Sequence, residues 1–133
     1  MHGYSRSFLL RFAATHLDAR GCVVDFSRLK PFEQQLSERF DHTFLVKADD
    51  PLLKEWERLH DLGALDLRVM SNVGMETTAE LIWTWANQLL HKRDGGRTCC
   101  WAVEARENPR NAACFHAIPD WFNKSLEASQ SFR

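Results

Sequence analysis

The stretch Phe40-Asp41-His42-Thr43-Phe44-Leu45 is the most informative part of this 133-residue sequence. It directly follows a predicted helix over residues 27–39, whose apolar side chains recur at helical spacing. A histidine can transfer a proton near neutral pH, and a carboxylate beside it can fix its tautomer. Taken alone, the pair Asp41-His42 is more often a helix-terminal aspartate beside a surface histidine. The rest of the sequence therefore decides how the stretch is interpreted.

Hydrophobic spacing, turn residues and capping residues predict the other elements. The first quarter is predicted to be a hairpin of strands at residues 7–15 and 22–25 around a turn at 18–21, followed by the helix at 27–39. The rest is predicted to be a helix from Asp50-Pro51 to Gly63, a short strand at 67–70, a helix from Thr77 or Thr78 to Gly95, and strands at 97–106 and 112–117. Strands at both ends with helices between them favour an α+β fold over a doubly wound sheet.

Composition and charge argue against several classes of function. The formal net charge is −1, with acidic and basic residues mixed along the chain, so the chain lacks the electrostatic stripe that nucleic acid or an anionic membrane requires. No apolar run approaches the length of a membrane span, and the N-terminus lacks signal-peptide architecture. The four cysteines are Cys22, Cys99, Cys100 and Cys114, and they show no C-x-x-C spacing. This favours buried, reduced thiols in a cytoplasmic protein.

Three further motifs, taken together with Phe40-Asp41-His42, carry a resemblance to a known family. His2-Gly3-Tyr4-Ser5 and the Cys-Val-Val-Asp-Phe-Ser-Arg-Leu-Lys run at residues 22–30 precede the pair, and Glu107 follows it, eight residues before Phe115. In this order and spacing the sequence resembles the 6-pyruvoyl-tetrahydropterin synthase / 6-carboxy-tetrahydropterin synthase family, from His2 to about Phe115.

The resemblance implies the tunnelling fold, an antiparallel sheet with two long helices on one face. In the family the sheets of three subunits join into a barrel and two barrels stack, so we expect a homo-oligomer, either a trimer or a hexamer. The tunnelling-fold domain is expected over residues 1–118, with residues 49–73 as an insertion. Residues 119–133 are polar, and we expect them to form a frayed C-terminal tail.

The same resemblance assigns roles to individual residues. In the family an Asp-His pair belongs to a Cys-Asp-His catalytic set, so Asp41 and His42 are expected to be catalytic. Glu107 occupies the position of a glutamate that anchors the pterin, where a carboxylate accepts two N–H bonds from the ring. His2 matches the first histidine of a His-Gly-His motif that binds zinc together with an upstream histidine. In this chain Tyr4 replaces the second histidine of that motif.

The function implied is that of a zinc-dependent, pterin-forming lyase acting on 7,8-dihydroneopterin triphosphate. In the family, zinc polarises the substrate, a cysteine thiolate removes a side-chain proton, the Asp-His pair transfers a proton on the other side, and triphosphate is eliminated. The enzyme is expected to be of the 6-carboxy type, which also releases acetaldehyde and feeds 7-deazaguanine (queuosine-type) synthesis, or of the 6-pyruvoyl type.

The catalytic cysteine of the family is missing from the printed sequence. It precedes the His-Gly motif, where this chain has only Met1. Two explanations remain open at this point. Either the start has been set at an internal codon, or the chain is a degenerate paralogue. The alternative function is therefore that of a non-catalytic protein that binds a pterin or a purine, or that only assembles with itself.

Overall fold

The fold combines four α-helices and five strands in the computed structural model, which describes residues 5–131. In chain order the elements are β1 (Ser7–Ala14), a short 3-10 helix (Phe26–Leu29), α1 (Lys30–Phe40), β2 (Phe44–Lys47), α2 (Leu53–Asp61), β3 (Leu67–Met70), α3 (Met75–Asp94), β4 (Thr98–Arg106), β5 (Ala112–His116) and α4 (Asp120–Gln130). The predicted α+β class is confirmed. The part of the chain that is described contains no helix with the length and apolarity needed to cross a membrane.

A three-stranded antiparallel sheet carries the core, in the order β1-β4-β5. Strand β1 pairs with β4 from Ser7 opposite Arg106 onward, and the register shifts between Arg11 and Phe12, so that Trp101 is skipped. Such a bulge leaves backbone groups without ladder partners. The three strands nevertheless form one continuous sheet, since β5 pairs along the other edge of β4.

The helices α1 and α3 cover one face of this sheet, as expected for two long helices packed on a sheet. Buried side chains of both helices meet buried residues of β4, and the alternate residues of β1 pack against this layer. Within the core cluster that these elements form, the most buried residues are Phe32, Ala79, Ile82, Ala86, Cys100, Val103 and Ala105. Helix α3 begins at Met75, two to three residues before the predicted Thr77 or Thr78 caps. It ends at Asp94, and Gly95 is its C-cap with a φ of 66°.

Strands β2 and β3 form a separate two-stranded parallel sheet. The short strand at Leu67–Met70 was predicted, whereas β2 was not, because Phe44–Lys47 is only four residues long and follows the helix α1 almost directly. Helix α2 connects the two strands and starts at Leu53. The turn before it is held by the carboxylate of Asp50, which accepts the N–H of Leu52. The interpretation of residues 49–73 as an insertion stays a prediction.

The predicted hairpin of the first quarter is wrong, because residues 22–25 do not form a strand. The carboxylate of Asp18 accepts the N–H groups of Arg20 and Cys22, each at 2.9 Å. The carboxylate of Asp25 accepts the N–H of Ser27 at 2.9 Å and caps the short 3-10 helix. These local hydrogen bonds compete with strand pairing. Strand β1 therefore pairs with β4, which is distant in sequence.

The expectation of a frayed tail after Pro119 is also wrong. Residues Asp120–Gln130 form α4, in which Phe122 is only 3% exposed. The ring of Trp121 lies against the imidazole of His91 on α3, with ring centroids 4.7 Å apart. Two apolar anchors thus hold an otherwise polar segment against the domain.

Candidate functional site

Asp41 and His42 lie at the C-terminal end of α1. Asp41 is the C-cap residue, and His42 follows it with a φ of 53°, the left-handed conformation that ends many helices. The imidazole Nδ1 of His42 lies 2.8 Å from Oδ1 of Asp41. The side chains of His42 and Asp41 are 94% and 63% exposed, respectively. The structure therefore brings the two predicted catalytic residues into direct contact.

A cleft of about 450 Å³ adjoins this pair. It lies between the chain just before β1 (Ser5 and Arg6), the last turn of α1, and the segment that leads into β2. Asp41 and His42 both line it. Its lining also includes three apolar residues of β1 and α1, Phe8, Leu36 and Phe40.

Glu107 lies in the turn between β4 and β5, directly after the last residue of β4. Its backbone N–H donates to the carbonyl oxygen of Asn111 at 3.1 Å, which closes the turn, and its side chain is half-buried. Glu107 lines a second cleft of about 590 Å³. Ser5 lines both clefts. The predicted pterin anchor and the Asp41-His42 pair thus line two clefts that share the lining residue Ser5.

Arg6 is a cleft residue that the sequence analysis missed. Its Nη2 donates to the carbonyl oxygen of Val73 at 2.9 Å and its Nη1 to the Thr78 hydroxyl at 3.2 Å. Arg6 has the same strand parity as the inward-facing Phe8. A charged residue at an inward position is the signal that could have singled it out.

Residues 5–131 contain no group of three or more His, Cys, Asp and Glu side chains that could hold a metal ion. The predicted zinc ligand His2, and Tyr4 in the same motif, lie outside the described residues. Within the described part the donor set does not fit a catalytic zinc, which needs three protein ligands.

The cysteines divide into two buried and two exposed thiols. All four are free, and the expectation that all of them are buried is wrong for Cys22 and Cys114. Burial raises the pKa of the Cys99 thiol to about 11 and that of the Cys100 thiol to about 12. Among the described residues, no cysteine lines either cleft.

Comparisons with known proteins agree with this architecture. The family model of 6-pyruvoyl tetrahydropterin synthase matches residues 1–117. The chain is also similar to an uncharacterized protein from Wolinella succinogenes known from a crystal structure, with a TM-score of 0.65 and 24% identity over 88% of this chain and 79% of that chain. At that identity the likeness concerns the fold alone. No curated protein matches the chain.

Proposed function

The chain belongs to the 6-pyruvoyl tetrahydropterin synthase family, and we propose that it is a pterin-forming lyase acting on 7,8-dihydroneopterin triphosphate. The reaction is of the 6-carboxy type, as used for 7-deazaguanine synthesis, or of the 6-pyruvoyl type. The observation that carries the proposal is the contact between Asp41 and His42 beside a cleft that adjoins the cleft of Glu107. We propose that the proton-transfer pair and the ring anchor act on one ligand that spans the two clefts, which share Ser5 as a lining residue.

Glu107 is proposed to hold the ring. A pterin presents two N–H donors on one edge, from its 2-amino group and N3, and an ionised carboxylate has two oxygens that accept them side by side. The half-buried position of Glu107 supports this role, because a partly desolvated carboxylate hydrogen-bonds more strongly than one in water. The turn that carries it is closed by its own backbone hydrogen bond, so the side chain starts from a fixed backbone.

Asp41 and His42 are proposed to transfer the proton. An ionised carboxylate only accepts hydrogen bonds. The 2.8 Å contact therefore favours the neutral tautomer of His42 that carries its proton on Nδ1 and donates it to Asp41. The other ring nitrogen, Nε2, is then free to take a proton from the ligand's side chain and to return it. The exposure of His42 leaves it accessible to a ligand in the adjoining cleft.

Zinc enters the proposal only through His2, since the described residues do not supply a zinc site. One histidine with Tyr4 at the place of the second falls short of the three ligands that catalytic zinc needs. We expect the purified 133-residue chain to hold no stoichiometric zinc. Elemental analysis tests this, and about one zinc per chain would point to Tyr4 or to ligands that the sequence motifs do not mark.

A second candidate function is a non-catalytic member of the family that binds a pterin or a purine. The observation that favours it is the lack of a cysteine among the described residues of both clefts. The buried Cys99 and Cys100 are no substitute, because the raised pKa of each thiol disfavours the reactive thiolate. This candidate keeps the ring contact at Glu107 and gives up the turnover.

We further propose that the chain assembles as a trimer or a hexamer in the cytoplasm. The outer edges of β1 and β5 have no strand partner among residues 5–131, and unpaired edges are templates for pairing with another chain. Two large apolar side chains of the sheet, Leu9 and Trp101, are 51% and 39% exposed, and burial in an interface would remove them from water. The four free thiols are consistent with a reducing compartment.

One assay separates the two candidates. The chain is incubated with 7,8-dihydroneopterin triphosphate, the release of triphosphate and the pterin product are followed, and neopterin binding is measured by calorimetry. Turnover supports the lyase, and acetaldehyde among the products identifies the 6-carboxy type. Binding without turnover supports the non-catalytic candidate. Purine binding is measured in the same way, and a chain that converts no pterin and binds neither a pterin nor a purine contradicts both candidates.

A further inference from the structure

Arg6 is a half-buried cation whose hydrogen-bond partners are neutral. Its guanidinium donates to the carbonyl oxygen of Val73 and to the hydroxyl of Thr78, which is itself fully buried. Among the residues that the structure describes, no carboxylate comes within ion-pairing distance of it. A charge that is partly removed from water without a counter-charge is costly, and a bound anion would lower that cost.

The surroundings of Arg6 leave this charge only partly compensated. Burial lowers the pKa of the Arg6 guanidinium, and the attraction of the Glu107 carboxylate offsets this only in part. Ser7 pairs with Arg106, so the same register continued by one residue brings Arg6 opposite Glu107. The carboxylate is therefore near enough to influence the arginine but does not form an ion pair with it.

The location of Arg6 connects it to both proposed functional groups. It lines the same cleft as Asp41 and His42, and it directly precedes Ser7, whose strand partner Arg106 is directly followed by Glu107. Arg106, which lines the neighbouring cleft, is already paired with Glu104 at 2.8 Å. Of these two arginines, Arg6 is thus the one available to a negative group of the ligand.

We propose that Arg6 binds a phosphate oxygen of the ligand whose ring is held by Glu107, and that it thereby determines the preference for a phosphorylated pterin. The proposal rests on the proposed function for the identity of the ring. The anion contact itself does not depend on the ring. Two guanidinium nitrogens are anchored by Val73 and Thr78, which pre-orients the planar group and reduces the entropy lost when it binds a phosphate.

The test measures the affinity of three probes for the full chain: neopterin, 7,8-dihydroneopterin triphosphate and inorganic tripolyphosphate. The variants are Arg6→Gln, the charge-preserving Arg6→Lys, and Arg11→Gln as the matched control, since Arg11 is an exposed arginine on β1. We expect Arg6→Gln to lower the affinity for 7,8-dihydroneopterin triphosphate and for tripolyphosphate by about tenfold or more, as for the loss of a hydrogen bond between charged groups. Neopterin binding should be unchanged. Arg6→Lys should retain an intermediate affinity, and Arg11→Gln should match the wild type.

The outcomes separate this inference from the proposed function. If the wild type binds tripolyphosphate in an Arg6-dependent way but binds no pterin, the ring assignment fails and the anion site stands. If Arg6→Gln weakens neopterin and its triphosphate equally, Arg6 acts on the ring or on Glu107, and the inference is overturned. Arg6→Gln with a lowered unfolding temperature but unchanged affinities for all three probes also overturns it, because Arg6 is then only a structural anchor for Val73 and Thr78. Arg6→Lys keeps the test decisive if Arg6→Gln does not fold.

Discussion

Nδ1 of His42 lies 2.8 Å from Oδ1 of Asp41, although the two residues are neighbours in the chain and both side chains are mainly exposed. His42 follows the C-cap residue of α1 and has a φ of 53°, in the left-handed region. A residue other than glycine in this conformation is uncommon, and such strain often accompanies function. The geometry of the pair is therefore linked to a local cost in stability.

Replacing His42 by alanine tests the proton-transfer role. His42→Ala should lower turnover of 7,8-dihydroneopterin triphosphate by about 10²–10⁴-fold, the range for loss of a general acid or base. Pterin affinity should stay nearly constant, because proton transfer acts in the transition state. Turnover and calorimetric affinity are measured on the same preparation. An equal loss of rate and affinity would show that the imidazole contributes to binding instead.

Replacing His42 by glycine tests the strain at the end of α1. Glycine adopts a positive φ without steric cost, so His42→Gly should be more stable than His42→Ala by roughly 1 kcal/mol in the free energy of unfolding. Both variants lack the imidazole and should be equally inactive. Urea denaturation of the two proteins provides the comparison. Equal midpoints would mean that the backbone relaxes when the Asp41 contact is lost.

Much of the fold could be predicted because its elements are marked by local signals. Helix α3 has a strong apolar repeat and ends at two glycines, and β4 and β5 are runs of the expected length. The false strand at residues 22–25 arose because its apolar residues fit a strand, whereas the Asp18 and Asp25 side chains supply competing hydrogen bonds. The helix α4 was missed because the polar composition after Pro119 outweighed the helical i, i+4 spacing of its apolar residues Phe122 and Leu126.

The candidate site was predictable only where a motif marks it. Asp41, His42 and Glu107 were found through their order and spacing, and the structure brings them to adjoining clefts. Arg6 was missed because its role arises from contacts that are distant in sequence. Its guanidinium donates to the hydroxyl of Thr78, which is 72 positions away.

The buried thiols of Cys99 and Cys100 predict a loss of stability at alkaline pH. Their pKa values are raised from 9.0 to about 11 and about 12, so between these limits the unfolded chain releases protons that the folded chain retains. The contribution of the protonated thiols to the free energy of unfolding is complete below pH 9.0. It decreases as the pH rises from there towards the pKa values of the folded state. From pH 8 to pH 10 the two thiols together should lower the free energy of unfolding by about 2–3 kcal/mol, measured by urea denaturation.

The matched control for this pH effect is the double variant Cys99→Ala/Cys100→Ala, whose stability should depend less on pH over the same range. Native-state labelling gives a second test, since a thiol reagent should modify the exposed Cys22 and Cys114 first and the two buried thiols only on unfolding. Parallel pH profiles for wild type and double variant would contradict the assignment.

Asn87 should be essential for stability because its amide completes the bulge of β4. Oδ1 accepts the N–H of Cys100 at 2.9 Å, and Nδ2 donates to the carbonyl oxygens of Cys100 and Trp83 at 2.8 and 3.0 Å. Asn87→Ala leaves buried backbone groups without partners and should cost about 2–4 kcal/mol of unfolding free energy. Asn123→Ala, at an exposed site on α4, should stay within about 0.5 kcal/mol of the wild type. Similar denaturation midpoints for the two variants would imply that water replaces the Asn87 amide.

Glu107→Gln tests the ring anchor most directly. The substitution replaces one acceptor oxygen by an amide donor, which would face the donors of the pterin edge and repel them. Binding of neopterin, followed by calorimetry, should weaken by about tenfold or more, as expected when a hydrogen bond to a charged group is lost. The matched control is Glu104→Gln, because Glu104 lies within β4 and is already paired with Arg106. Unchanged affinity for Glu107→Gln would reduce Glu107 to a turn residue, and a loss confined to Glu104→Gln would move the anchor into the strand.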